Sequence, residues 1–329
     1  MKVSLIATVL NEAASLPGLL DSIATQSRRP DEIVFVDGGS TDATVSILKG
    51  HAGRLPITVL VEPGCNISQG RNAAIRAAGG DIIAVTDAGV RLHPDWLAEL
   101  LAPFEADPET QVVAGFFLPD VDTPFEVAMG ATVLPALSDI DPATFLPSSR
   151  SVAFRAPAWE RAGGYPEWLD FCEDLILDFN LRTHFGPFVF APKAIAHFRP
   201  RSTLRAFVKQ YYQYARGDGK ANLFLKRHLI RYVTYLVATP LIVLAGATLS
   251  PWWWALFVPG ALFLFGKGYS RLPALWGDLS AGGKLAAALW VPVIRVSGDL
   301  AKMAGYPVGR VWRTRQRPPD WRVSARPAP

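Results

Sequence analysis

Phe35-Val36-Asp37-Gly38-Gly39-Ser40-Thr41-Asp42 carries the chain from an apolar run, through two glycines, into a stretch of helical spacing. Glu32–Asp37 has the length and apolar density of a strand buried on both faces, and Thr41–Lys49 repeats its apolar residues as a helix does. The same alternation extends outward. Val3–Val9, Ile57–Val61 and Ile82–Thr86 are predicted strands, and Ser15–Gln26 and Ser68–Ala78 are predicted helices; Ser40 or Thr41 is the expected cap of Thr41–Lys49, and Ser68 that of the last. Strands alternating with helices imply an α/β fold with a mainly parallel central sheet. Ligands of such sheets bind beyond the carboxyl ends of the strands, and Asp37 and Asp87 both fall at such ends.

From Pro94 to Arg201 the pattern is less regular. It holds helices at Pro94–Glu105, from Pro157 and at Glu173–His184, and strands at Val112–Leu118, Ser151–Arg155 and Ala194–Phe198. The 329 residues are 50% hydrophobic and 19% charged with a mean hydropathy of +0.20, and the apolar excess lies after Arg231. Tyr232–Leu249 and Trp252–Gly266 contain no charge and read as a transmembrane hairpin. Trp252, Trp253 and Trp254 suit an interfacial belt, and the cations before and after the pair place both ends on the cytoplasmic side. A buried helical pair in a soluble domain is the alternative. Leu285–Ile294, interrupted by Pro292, reads as an interfacial helix, and the Pro/Arg-rich tail from Pro318 as disordered. The expected division is therefore 1–226, 227–269 and 270–329.

The net charge is +4, concentrated in Lys226, Arg227, His228 and Arg231 and in Arg310, Arg313, Arg315, Arg317, Arg322 and Arg326. Such clusters beside apolar segments fit an anionic lipid surface. No nucleic-acid-binding module accompanies them, so nucleic acid is not an expected partner. The two cysteines, Cys65 and Cys172, form no Cys-x-x-Cys pair, which leaves structural zinc and a disulfide framework unsupported. The opening apolar run is too short for a signal-peptide core, so the amino-terminal part is expected to stay in the cytoplasm.

Several side chains can carry chemistry. Asp37 can accept hydrogen bonds from a nucleotide base or ribose, or it can simply cap its turn. Asp87 can hold a hard divalent cation against a diphosphate, and Arg71 in Gly70-Arg71-Asn72 can reach the same phosphates or lie solvated. Glu173-Asp174 opens a helix, where acids complement the dipole; one of them could also deprotonate an acceptor hydroxyl. His197 could complete a cation site or be an ordinary strand residue. Phe207, Tyr211 and Tyr214 give an aromatic stripe that could lie on a membrane or pack on the sheet.

Read together and in order, Asn11-Glu12, Val36-Asp37-Gly38-Gly39-Ser40-Thr41-Asp42, Gly70-Arg71-Asn72, Thr86-Asp87-Ala88-Gly89, Gly163-Gly164-Tyr165 and Glu173-Asp174 resemble the family 2 glycosyltransferases of the GT-A fold, from Val3 to about Lys220. The resemblance implies a GT-A nucleotide-sugar-binding domain followed by membrane helices. It implies inverting transfer from a nucleotide-diphosphate sugar to a lipid-linked or glycan acceptor at the inner, cytoplasmic membrane. Thr8, Glu12, Asp37, Arg71, Asp87 and Ala88 would contact the donor, Asp174 would be the base beside Glu173, and Asp87 with His197 would hold Mg²⁺ or Mn²⁺. Gly38 and Gly89 stand where the family carries second acids. The rival readings are a polyprenyl-phosphate sugar synthase and a non-catalytic nucleotide-sugar-binding membrane protein.

Overall fold

The structure, a computed structural model, describes residues 1–322. In chain order its first elements are β1 Val3–Val9, α1 Leu16–Ala24, β2 Glu32–Asp37, α2 Thr44–His51, β3 Ile57–Val61, α3 Ile67–Ala77, β4 Ile82–Val85, β5 Val90–Leu92 and α4 Trp96–Ala106. Then come β6 Val112–Pro119, α5 Pro124–Val133, β7 Val152–Arg155, α6 Ala156–Arg161, α7 Glu173–Phe185, β8 Val189–Phe198, α8 Leu204–Ala221, α9 Leu225–Tyr232, α10 Thr239–Thr248, α11 Phe257–Leu275 and α12 Ala281–Gln316. They form two compact units. One holds Met1–Asp120, Leu137–Arg199 and the described residues from Pro319 to Arg322; the other holds Val121–Ala136 and Pro200–Pro318.

The first unit is built on an eight-stranded sheet of order β3-β2-β1-β4-β7-β6-β8-β5. β1 pairs in parallel with β2 and β4, and β2 with β3, so Val9 and Asp37 end side by side. The other half departs from the parallel expectation. β7 is antiparallel to both β4 and β6, and β5 is antiparallel to β8, which makes the sheet mixed. Strict helix–strand alternation stops near Pro94, so nothing in the spacing of the middle region dictates crossovers, and β5 is too short to show a period.

Side chains alternate across the strands. Leu5, Ala7 and Phe35 face a core with Leu19, Trp96 and Leu100, whereas Ile6, Val34 and Val36 face Ala74, Tyr165 and Leu177. Trp96 is fully buried; its Nε1 donates to Ser151 Oγ at 2.8 Å, and Ser151 Oγ donates to the Ala194 carbonyl at 2.8 Å. The tail, expected to lack order from Pro318, stacks Trp321 on Phe179 with ring centroids 5.8 Å apart. Arg326 and the rest of the expected disordered tail beyond Arg322 lie outside the described residues.

In the second unit α12 packs along α8 through small residues. A Cβ on Gly305 would strike the Tyr212 carbonyl, one on Gly309 the Arg216 carbonyl, and one on Gly219 the Tyr306 carbonyl. Phe125 and Ala128 of α5 join the same core as Phe207, Val291 and Ile294. The aromatic stripe of α8 is thus partly core, with Phe207 and Tyr211 buried.

Among the described residues one helical stretch, Leu225–Thr248, is long and apolar enough to cross a membrane, and only 6% of its apolar window is buried. Its middle, Val233–Ala238, is a π-turn just before Pro240, where proline removes a helical N–H, and Thr239 Oγ1 donates across the turn to the Thr234 carbonyl at 2.8 Å. The second expected span makes no matching helix. It is divided between a tight 3₁₀ segment, Pro251–Leu256, and α11, which also takes in Lys267, Arg271 and Pro273. Leu285–Ile294 is part of α12, which runs on through Pro292.

Trp96→Ala should lower the stability of the first unit by about 3–5 kcal/mol, because it empties a buried indole site and strips Ser151 of a donor. A denaturant midpoint close to wild type, followed by far-UV circular dichroism, would contradict this.

Candidate active site

The site begins with the amino-terminal turns of α3. Asn66 and Gln69 cap it reciprocally, so the cap is Asn66 rather than the expected Ser68. Ser68 is buried and instead donates to the Leu169 carbonyl at 2.8 Å. Gly70 lets α3 lie against β1, since a Cβ there would stand 2.8 Å from Thr8 Cγ2.

The next residue but one, Asn72, grips the Gly163-Gly164-Tyr165 loop by both backbone groups. Its Nδ2 donates to the Tyr165 carbonyl at 2.8 Å, and the Tyr165 N–H donates to its Oδ1 at 2.9 Å. Gly164 has φ +70°, and a Cβ there would press on Asn72 Oδ1 and the Trp159 ring. Asn66 Nδ2 adds a bond to the Glu167 carbonyl at 2.7 Å. α3 therefore sets where the loop delivers Glu173-Asp174. Cys172, directly before that pair, has φ 65° and closes the loop in a left-handed turn that non-glycine residues seldom adopt.

Arg71 stands at the centre, its side chain only 3% exposed. One nitrogen donates to Asp87 Oδ1 at 2.8 Å and another to Glu173 Oε1 at 2.5 Å. Its guanidinium also lies 5.3 Å from the centroid of the Tyr165 ring. Burial favours loss of its proton, but Glu173 and Asp87 outweigh that, and Arg71 stays charged. Asp87 has a second cation, Arg150 Nε, at 3.5 Å. Burial acts against the Asp87 charge, yet Arg71 and Arg150 together hold this carboxyl below the usual carboxylate range. Arg150 is itself positioned by Thr86, which donates to its carbonyl at 3.1 Å, and by the Phe198 ring 4.7 Å below its guanidinium. Asp174 is half-buried, with Oδ1 accepting from the Leu175 N–H at 2.9 Å.

The structure thus brings Arg71, Asp87 and the Glu173-Asp174 pair together. Asp37 is buried and builds its own turn: Oδ2 accepts from the Gly39 and Ser40 N–H groups at 2.9 Å, and Oδ1 from Ser40 Oγ. Thr8 is half-buried beside Gly70, and Glu12 accepts from Ser15 Oγ. Ala88 is buried in the core, which leaves its backbone as the part a ligand could meet. His197 takes Asp120 as partner, Nδ1 to Oδ1 at 3.5 Å, and burial lowers its pKa.

Sequence reasoning passed over three residues here. Arg150 carries no motif signal, and Asn72 was read only as part of a pattern. Asp178 lies one turn after Asp174, a helical spacing that would have flagged it. It is buried, its Oδ2 has no hydrogen-bond partner among the described residues, and burial and then Asp174 push its pKa well above the carboxylate range.

A divalent cation would find one suitable donor, the partly exposed Asp87 carboxylate at the end of β4. Hard oxygen fits Mg²⁺ or Mn²⁺, but among the described residues no three His, Cys, Asp or Glu side chains gather as a ligand set. The remaining coordination would have to come from diphosphate oxygens and water.

Residues 4–147 match the family model described as glycosyl transferase family 2. Over that stretch the chain is similar to the family 2 glycosyltransferases. It is 27% identical over 189 residues to an O-antigen chain rhamnosyltransferase of Salmonella typhimurium, covering 54% of this chain and 60% of that one. It is 34% identical over 112 residues to an undecaprenyl-phosphate 4-deoxy-4-formamido-L-arabinose transferase of Pseudomonas fluorescens, covering 31% and 32%. The chain spans 26% to 60% of the length of the curated relatives it matches. In fold it is similar to a mannosyltransferase from Pyrobaculum calidifontis solved with GDP-Man and Mn²⁺, at a TM-score of 0.55 and 21% identity, covering 96% of this chain and 87% of that one. The first unit thus has the GT-A α/β fold, with a mixed sheet.

The surroundings of Glu173 also alter its titration. Burial first and Asp174 second raise its pKa from 4.5 to about 7, against the pull of Arg71. Between those values the folded chain keeps a proton that the unfolded chain has lost, so stability falls as pH rises through the window. Glu173→Gln has no such proton to lose. Its melting temperature relative to wild type should climb from about pH 5 to about pH 8, and a pH-independent difference would refute this.

Proposed function

We propose that this protein is an inverting glycosyltransferase that moves a sugar from a nucleotide-diphosphate donor to a lipid-linked or glycan acceptor at the cytoplasmic face of the inner membrane. One observation carries the reading: buried Arg71 joins the carboxylate ending β4 to the acid pair opening α7, at the carboxyl edge of the parallel half of the sheet. Among those acids Asp174 is the one not ion-paired to Arg71 in the structure, and it is partly accessible.

In this reading Asp174 takes the proton of an acceptor hydroxyl as its oxygen attacks the anomeric carbon. The bond from that carbon to the diphosphate oxygen breaks on the opposite face, its electron pair leaves with the nucleotide, and the configuration inverts. Arg71 and Arg150 supply positive charge beside the departing diphosphate. Arg71 also fixes Glu173 and so holds Asp174 in place. Mg²⁺ or Mn²⁺ shared between Asp87 and the diphosphate would neutralise further charge. Thr8, Glu12 and the Asp37 turn line the side on which the base and ribose would lie. The donor reading is supported by the family match, and the membrane reading by the exposed apolar stretch Leu225–Thr248 with Lys226, Arg227 and Arg231 at its foot.

The same apolar stretch, and a relative whose name specifies undecaprenyl phosphate, favour a second reading in which a polyprenyl phosphate is the acceptor. There the nucleophile is an anionic phosphate oxygen with no proton to remove. The two readings separate on one variant. Asp174→Asn should lower transfer to a hydroxyl acceptor by at least about 100-fold while nucleotide binding by calorimetry is kept. Near-wild-type turnover would remove Asp174 from the role, and an organic-soluble, acid-labile product at undiminished rate would favour the prenyl phosphate. Chelation with EDTA should abolish turnover and added Mn²⁺ restore it; chelator-insensitive transfer would show that the arginines suffice.

A further inference from the structure

α12 has two apolar faces, and the second unit uses only one of them. Val291, Ile294, Gly298, Ala301, Gly305 and Gly309 are buried, and the glycines let α8 approach to backbone contact. The opposite face exposes Leu285, Leu289, Val293, Leu300, Val308 and Val311. Val296 and Ala304 fill the two wider gaps, so no polar residue interrupts the row before Thr314. Twenty-six residue steps at 1.5 Å make an apolar stripe about 39 Å long. Water gains nothing from such a surface, and soluble monomers rarely keep one.

We propose that this stripe lies in the surface of an anionic phospholipid bilayer, with α12 in the plane of the membrane and sunk about 5–10 Å into the headgroup–acyl boundary. The proposal rests on the membrane attachment proposed above and not on the catalytic assignment. Three features select lipid as the occupant. The hydroxyl beside the stripe, Ser297, already donates to the Val293 carbonyl at 2.6 Å, which leaves little by which a protein partner could be recognised. Beside it, Val208, Tyr212, Leu300, Ala301 and Ala304 floor a groove of about 640 Å³ whose charged lining residues are Arg205 and Lys209, without a carboxylate. An acyl chain fits that floor, and phosphate headgroups fit that rim.

The stripe also continues into the apolar stretch. Tyr232 Oη donates to the Met303 carbonyl at 2.7 Å and Arg231 Nε pairs with Asp299 at 2.9 Å, which ties the foot of α9 to α12. Exposed Leu229, Ile230, Val233 and Leu236 extend the apolar surface from there. α12 cannot cross the bilayer itself, because α8, packed along it, carries Arg205, Lys209, Arg216 and Lys220.

The test is the depth of nitroxide labels on full-length protein in nanodiscs of phosphatidylcholine and phosphatidylglycerol. Single cysteines Leu289→Cys, Leu300→Cys, Val311→Cys, Leu241→Cys and Lys49→Cys are placed in a chain whose Cys65 and Cys172 are serine. Relaxation by oxygen and by a water-soluble nickel chelate then reports immersion. Labels at 289, 300 and 311 should favour oxygen at one shared shallow depth, with 241 deeper and 49 in water. If 289, 300 and 311 resemble 49 while 241 is immersed, this inference fails and the membrane reading stands. If 241 is also in water, both fail. Labels shielded from both reagents and broadened by a neighbouring nitroxide would assign the stripe to a second copy of the chain and overturn the proposal.

Discussion

A guanidinium with 3% of its side chain exposed must be neutralised where it stands, and the active region of the first unit is arranged around that requirement. Burying an ion costs several kcal/mol unless partners compensate it, and removing one partner leaves the charge stranded. Arg71 has its partners on two separate elements, the end of β4 and the start of α7. Neither acid could be displaced far without exposing the cost of the other contact. The neighbouring residue Asn72 then clamps the intervening loop, so a single turn of α3 sets both the charge and the course of the chain that delivers Asp174.

The second unit answers a different constraint. Its core joins a helix seam, where glycines let α8 and α12 meet at backbone distance, to the buried side chains of Phe125, Phe207, Val291 and Ile294. Much of its large apolar content is turned outward instead, on α10, on the tryptophan-bearing segment before α11 and on the outer face of α12. A water-soluble domain of this composition would place those residues inside.

Much of this was legible in the chain of letters. The opening strands and helices stand within a few residues of their expected bounds, because each strand is a short apolar run closed by a polar residue. The acids at positions 87 and 173 and the arginine at 71 could be named from motif order. What could not be read was who meets whom. Arg71 contacts Glu173 across 102 positions. Asn72 holds Tyr165 across 93. Neither distance leaves a periodic trace. The strands expected at Val112–Leu118, Ser151–Arg155 and Ala194–Phe198 are present, but their direction could not be read, and three-residue β5 escaped because it carries no usable period. The second expected span is split for a local reason: Pro251 opens a 3₁₀ segment through the tryptophans, and Lys267 and Arg271 fall within the helix that follows.

The contact between Gly70 and Thr8 has a bearing on how such a chain can drift. With 2.8 Å between the threonine methyl and the place a Cβ would occupy, the two positions share one fixed volume. A side chain at position 70 is tolerated only if the residue at position 8 shrinks. Gly115 and Ser151 are bound in the same way inside the sheet. Descendants of this chain should therefore gain a side chain at either glycine only together with a smaller partner, and a lone change at the glycine would be selected against before it touched any chemistry.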